Sequence, residues 1–363
     1  LVEKDPTGEP MGVLREGLSL LPIPKFSLEQ IKEAMKKLIQ SMFIQQGITT
    51  IHDMPSTTEG YRAYQELLAD NELPLRIKLY IRVPRDVDLD SLLRLGLQSG
   101  FGNEKLNIGG VKLGADGGIT GPKAALYQPY PHDVYDFGLL NHTQEELTEL
   151  VVKLHKGGLQ VITHTTGERG QDMTLNAIQA ALHELPKKDH RHRLEHAGNY
   201  FATLERMERM KELGAIPVPQ PQFLHSFGFL MEYFYGERVK DGLFKYKTLL
   251  DMGFKLPFSS DSTGTQPEGT NPFWGIWCVV ARESYDGTVL SPEERISVMD
   301  AIRCYTINSA YAGFEENIKG SIEPGKLADL IVVSEDPLRI AMDKIKDIKT
   351  EMTIVNGKIE YRK

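Results

Sequence analysis

Cysteine is scarce: Cys278 and Cys304 are the only two, and they sit in the apolar settings GIWCVVA and AIRCYTI rather than in a Cys-x-x-Cys pair. That argues for buried thiols and a reducing compartment. No stretch approaches the ~18 consecutive apolar residues of a membrane span. The opening LVEKDPTGEP lacks the charged-then-apolar pattern of a signal peptide. Both absences predict a cytoplasmic location. No segment carries a run of Lys and Arg, and the net charge is −8, so neither nucleic acid nor another phosphate-rich partner is expected. There is no low-complexity tract and no internal repeat beyond a strand-helix alternation. What is present is ordinary: 40% hydrophobic and 25% charged residues in a chain of 363, enough for one large core or two domains.

The alternation begins with SLEQIKEAMKKLIQSMFIQQG, an amphipathic helix with Ser27 as N-cap, Glu29 in its first turn and Gly47 as its stop. Strands are predicted at ITTIHD, LRIKLYIRV, IGGVKLGAD, LQVITH, RLEHA, AIPVPQ and LPFSSD. Helices are predicted over about 59–72, 144–155, 169–185, 201–213 and 238–252. Thr143-Gln144-Glu145-Glu146 has the form of a capping box. The strands are apolar on both faces, as parallel sheets covered by helices require. The fold class is therefore α/β, a TIM-type (β/α) barrel. Seven strands do not close an eight-stranded barrel, so the first strand is expected to be missing and the chain to be truncated.

Three regions follow: 1–26 as a loop segment leading into the barrel, 27–315 as the barrel, and 316–363 as strands of a small β-sandwich. Ser291-Pro292-Glu293-Glu294 is expected to cap a helix running to about Ala312. Beyond it, GSIEPGKLADLIVVSEDP reads as a turn and a strand, and MTIV-Asn356-Gly357-KIEY as a hairpin.

Four polar residues stand at or near the ends of apolar runs: Lys112 in VKLGADG, His164 in LQVITH, His196 in RLEHAG and Asp261 in LPFSSD. A β/α barrel keeps its chemistry at that end of its strands. His164 and His196 are 32 residues apart, about one strand-helix unit, and His196 and Asp261 are 65 apart, about two. Between Lys112 and His164 lies the insertion GGITGPKAALYQPYPHD. Four potential metal ligands thus come from four strands.

The stretches GVLREG, GITTIHD, VKLGADGGI, VITHTTGERG, RLEHAG, FSSDS, YTINSAYAGFEENIKGSIEPGKLADLIVV and VNGK resemble, in order, the amidohydrolase superfamily. The resemblance is to its branch of metal-dependent hydrolases that includes N-substituted formamide deformylase and YtcJ-like proteins. It implies a barrel hydrolase with one or two divalent metals, Zn²⁺ or a similar ion, acting on a non-peptide C–N bond of a small molecule. It further implies Lys112 as a carbamylated bridging ligand, and His164 and His196 as ligands of one metal. Asp261 is implied as ligand of the other and as proton carrier. The family's first-strand His-x-His is absent. The sole His-x-His, His190-Arg191-His192, should emerge at the opposite end of the barrel from His196.

Each candidate has a plainer reading. The two histidines could be buried and satisfied by neighbours, Lys112 could pair with Asp116, and Asp261 could cap the following turn. His52 and Asp53 either line the pocket or fix a loop. Gln220, Gln222 and His225 either contact substrate or satisfy backbone in the Pro-rich turn. FLHSFGFLMEYFYGER is expected to form core packing and part of a lid, and Asn271 to Trp274 to shape the pocket or simply be buried. A deaminase or cyclic-amide hydrolase on the same scaffold is one alternative. Another is a non-catalytic remnant or assembly subunit, oligomeric through exposed strand edges.

Overall fold

The computed structural model describes residues 2–14, 21–22, 24–55, 57–83, 87–262 and 267–363. The chain opens with a hairpin, β1 (Val2–Lys4) against β2 (Pro10–Leu14), where the sequence suggested only a loop. Its turn is built on Asp5, whose carboxylate accepts the N–H groups of Thr7 and Glu9. The second strand is exposed throughout, so the hairpin adds no buried barrel strand. Residues 15–20 and 23 of the 1–26 segment, including the last three of GVLREG, lie outside the described residues.

Helix α1 (Leu28–Leu38) starts at Ser27, which exchanges capping bonds with Gln30. It runs on through a π turn and a 3-10 turn until Gly47, at φ 81°, stops it. Six parallel strands and their helices follow: β3 (Thr50–Asp53), α2 (Thr58–Ala69), β4 (Arg76–Arg82), α3 (Leu89–Arg94), β5 (Leu106–Gly114), α4 (Gln144–Lys156), β6 (Gln160–His164), α5 (Glu168–Glu184), β7 (Arg193–Glu195), α6 (Leu204–Leu213) and β8 (Ile216–Val218). They pair in sequence order. The expected capping box of α4 is present, Thr143 and Glu146 exchanging bonds.

The sheet curls. His52 of β3 and Arg193 of β7 lie four strands apart, roughly 19 Å in a flat sheet, yet His52 Nδ1 is 3.0 Å from Arg193 Nη1. Arg193 also donates to the Tyr80 hydroxyl and to the Glu195 carboxylate. A polar network thus fills the concave side, its ions paired because burial leaves them no water.

The LPFSSD segment forms no ladder. It passes β8 with one backbone bond, Ser259 N–H to Pro219 O at 3.3 Å. Ile216 and Val218 face β7, so Pro217 and Pro219 present the other edge of β8. Neither has an N–H, which removes alternate rungs. The helix expected over 238–252 is also interrupted: a 3-10 turn at Glu237–Gly242 and a helix at Tyr246–Asp251 flank Phe244, whose φ is 50°. Nor does Ser291 cap a long helix. Ser297 caps Val298–Tyr305, and Ile307–Ala312 follows.

The chain ends in a three-stranded antiparallel sheet, β9 (Leu330–Val333), β10 (Thr350–Val355) and β11 (Lys358–Arg362). Asn356 and Gly357 both have positive φ, as a type I′ hairpin requires. A buried forked pair, Arg76 Nε and Nη2 to Asp329 at 2.7 and 3.0 Å, ties this sheet to β4. Cys278 and Cys304 are buried and unbonded to each other. No helix among the described residues is long and apolar enough to cross a membrane.

Candidate active site at the carboxyl ends of the strands

Parallel register brings the strand ends level: Gly114 of β5 pairs with His164 of β6, His164 with Glu195 of β7, and Glu195 with Val218 of β8. His164 closes β6 and His196 follows β7 directly. Their rings meet edge to face with centroids 4.6 Å apart, and His164 Nδ1 lies 3.0 Å from His196 Nε2. His196 and Asp261 both hold positive φ, 74° and 45°. For non-glycine residues that conformation costs on the order of 1–3 kcal/mol and clusters at functional sites.

The other nitrogen of each ring faces an acceptor. His196 Nδ1 is 2.7 Å from Gln220 Oε1, and His164 Nε2 is 3.4 Å from the Gly117 carbonyl. Gln220 Oε1 sets the His196 proton on Nδ1, so His196 Nε2 carries a lone pair and accepts His164 Nδ1–H. With that one proton moved to His164 Nε2, which faces the Gly117 carbonyl, both facing nitrogens present lone pairs to a cation.

Lys112 and Asp261 stand in the same field. Burial pushes the Lys112 ammonium down to about 8, against the pull of Glu195 and Asp261. Burial holds His164 well below its ordinary value, with His196 and Lys112 adding to the effect. His196 is lowered by burial while Asp261 works in the opposite direction. The four residues are thus electrostatic neighbours at one mouth. Asp261 is exposed there and Lys112 half-buried.

The remaining candidates lie around this group. Gln220 is buried with its amide fully engaged, and the buried Gln222 donates to the Ser260 carbonyl. His225 bonds the Glu283 carbonyl through Nδ1 and packs against Trp274, Trp277 and Tyr285. His52 belongs to the Arg193 network inside the curl rather than to the histidine pair. Asp53 accepts from the Tyr64 hydroxyl at 2.7 Å.

Asp116 is not turned to Lys112. It accepts the N–H groups of Ala125, Thr166 and Gly167 and so pins the loop after β5 to the start of α5; burial raises its carboxyl to about 7. Asn199, Arg193 and Glu195 were missed in the sequence, although GNY and RLE flank His196. Arg193 and Glu195, two apart on one strand, were the available signal: alternate residues share a face.

A curled parallel sheet carrying imidazoles, an amine and a carboxylate at its carboxyl mouth defines a hydrolase of the (β/α)-barrel class. The chain belongs to the Amidohydrolase family, Amidohydro_3, whose model matches residues 2–361. Membership places it among hydrolases of C–N bonds other than peptide bonds. It is 29% identical over 376 residues to YtcJ of Bacillus subtilis (strain 168), named an amidohydrolase, covering 100% of this chain and 68% of that one. It is 27% identical over 374 residues to the N-substituted formamide deformylase of Arthrobacter pascens, covering 100% and 67%. An uncharacterized metal-dependent hydrolase from Pyrococcus horikoshii OT3 superposes with a TM-score of 0.74 at 26% identity, covering 88% of this chain and 62% of that one. The chain therefore spans about two thirds of the length of these relatives.

The family implies a divalent metal, and the histidine pair fits one in its chemistry. With the proton between them displaced, two neutral imidazoles would offer facing lone pairs, each with its second nitrogen toward an acceptor, as metal-bound histidines have. Their 3.0 Å separation is near the ~3.4 Å expected of two nitrogens on one tetrahedral Zn²⁺. Among the described residues no three His, Cys, Asp or Glu side chains converge as a ligand set. The fit is thus that of a two-imidazole half site.

Proposed function

We propose that this chain is the catalytic body of a metal-dependent hydrolase that cleaves an amide-type, non-peptide C–N bond in a small molecule. The observation that carries this reading is the pair of imidazoles that meet through His164 Nδ1 and His196 Nε2 at the strand ends, each with its outer nitrogen toward an acceptor. His164 and His196 would hold one divalent ion, Zn²⁺ by donor type. When bound, the ion would supply a Lewis acid and a water acidic enough to ionise near neutral pH.

The chain's own groups supply the rest. Asp261, exposed at the mouth, takes the proton from the attacking water and returns it to the leaving nitrogen. Lys112 lies within the same field and is the residue on which a bridging carbamate would form. Gln222 holds the segment beside Asp261 through the Ser260 carbonyl, His225 with Trp274 and Trp277 supplies a further substrate contact, and His52 backs the site through Arg193. Strand β3, at the end of the sheet and paired only with β4, supports association through its open edge, which sedimentation would register as a dimer.

Metal analysis of the purified protein beside the double variant His164→Ala/His196→Ala tests the reading. The expected result is stoichiometric divalent metal in the parent and background in the variant. Hydrolysis of N-substituted formamides should fall on the order of 10³-fold, the several kcal/mol that a metal contributes. Equal metal content in both proteins would contradict it.

A further inference from the structure

The Pro219-Gln220-Pro221-Gln222 turn offers two amides between the histidine pair and the segment that carries Asp261. Gln220 is 1% exposed and all its hydrogen-bonding positions are taken. Its Nε2 donates to the Val218 carbonyl at 2.8 Å and to Ser259 Oγ at 2.9 Å. Its Oε1 faces His196 Nδ1 and accepts from Asn199 Nδ2 at 2.9 Å. The orientation of the amide is forced. A flip would set Oε1 against the Val218 carbonyl, acceptor against acceptor, and Nε2 against the Asn199 NH₂.

Asn199 is itself fixed. Its Oδ1 accepts the Gln220 N–H and the Tyr246 hydroxyl, so its NH₂ must point to Gln220. With Oε1 held toward the ring, His196 must carry its proton on Nδ1. Gln220 also reaches Ser259, two residues before Asp261, in a segment that lacks a strand ladder. Gln222 holds the next carbonyl, that of Ser260.

We propose that Gln220 is a positioning residue. It locks His196 in the Nδ1–H tautomer, leaving Nε2 free for the metal, and its bond to Ser259 replaces the missing ladder in fixing the Asp261 segment against His196. This rests on the reading of the histidine pair as a metal half site. Outer-shell partners of this kind typically change metal affinity 10- to 100-fold.

The test uses the full chain with ¹⁵N-labelled histidine, in the parent, Gln220→Leu and Gln220→Glu. Imidazole ¹⁵N spectra of metal-free protein report the His196 tautomer, and Zn²⁺ titration reports affinity. The expected parent is a single Nδ1–H tautomer at His196. In Gln220→Leu the tautomers should mix and Zn²⁺ affinity should fall 10- to 100-fold. Gln220→Glu keeps an acceptor toward His196 Nδ1 and, protonated on its other oxygen as burial favours, a donor toward the Val218 carbonyl, and should restore both. A lost fold in Gln220→Leu would leave Gln220→Glu to decide: failure to keep the Nδ1–H tautomer there overturns the proposal. An unchanged tautomer and unchanged affinity in Gln220→Leu also overturns it. Absence of Zn²⁺ binding in the parent overturns the half-site reading, while its ¹⁵N spectrum still judges the tautomer.

Discussion

Histidines cluster at both ends of the β6–β7 pair, His155 of α4 with His190 and His192 at the amino end and His164 with His196 at the carboxyl end, and the two groups differ in what their lone pairs meet. At the amino end, His192 Nδ1 accepts the Val161 N–H at 3.0 Å, and its Nε2 meets His155 Nδ1 at 2.9 Å. His155 Nε2 then faces the Leu185 carbonyl. His190 accepts the His192 N–H on Nδ1 and meets the Leu213 carbonyl through Nε2. Every nitrogen there has a complementary partner with all three rings neutral. At the carboxyl end, one proton lies between His164 Nδ1 and His196 Nε2, and it can move to His164 Nε2, which faces the Gly117 carbonyl, leaving two lone pairs for a cation. At the amino end the Val161 N–H occupies His192 Nδ1 and forbids that shift. Residue type is shared; only the freedom of that proton separates a structural cluster from a ligand pair. A count of imidazoles would rank the amino end first, with three rings against two.

That difference is broken or sharpened by exchanging the damage between the ends. His164→Ala/His196→Ala should abolish metal retention and leave the fold, because the acceptors left behind keep other donors: Gln220 Oε1 keeps Asn199 and the Gly117 carbonyl keeps Thr166. His192→Phe should do the reverse. It strands the Val161 N–H and one His155 nitrogen in a buried site, at a cost of about 2–5 kcal/mol, while metal per folded molecule stays at the parental level. Chemical denaturation combined with metal analysis reads both quantities. Metal loss in His192→Phe at unchanged stability would collapse the distinction.

A smaller effect is expected from pH. Burial, reinforced by neighbouring histidines and Lys187, holds His192 well below its ordinary value, and burial lowers His190. Below about pH 6.5 the unfolded chain binds protons at these rings that the folded chain refuses. Their contribution to stability is therefore complete above that pH and lost as the pH falls toward the lowered folded values. The loss amounts to about 1.4 kcal/mol per pH unit for each ring. Removing one titrating ring in His192→Phe should make the slope of unfolding free energy below pH 6.5 shallower by that amount. Parallel slopes in the two proteins would contradict the neutral assignment.

Much of this was legible in the sequence where the signal is local. Ser27, Thr143 with Glu146, and Asn356-Gly357 act over two to four residues, and each does what its type requires. The placement of Lys112, His164 and His196 at strand ends followed from apolar runs with a polar terminus. The failures are relational. LPFSSD has a strand's composition, but its neighbour offers Pro217 and Pro219 on the facing edge, and a ladder depends on the partner. Ser291 and Ser297 are both plausible caps in isolation, and only the latter precedes a continuous helix. Gln220 stayed open between contacting substrate and satisfying backbone because nothing in PVPQPQF reveals that Asn199, Ser259 and the Val218 carbonyl already surround it. Likewise, Asp116 follows Lys112 by four residues, yet it serves backbone groups 9 and more residues downstream.

The central claim is that the carboxyl-end histidines, unlike those at the amino end, present facing lone pairs to a cation. One Zn²⁺ titration of ¹⁵N-histidine-labelled protein tests it on all five rings together. Before metal, His196 Nε2 should be unprotonated; on its addition His164 Nδ1 and His196 Nε2 should both shift, while His155, His190 and His192 stay unchanged. Movement of the amino-end rings, or an unresponsive His164–His196 pair, would contradict it.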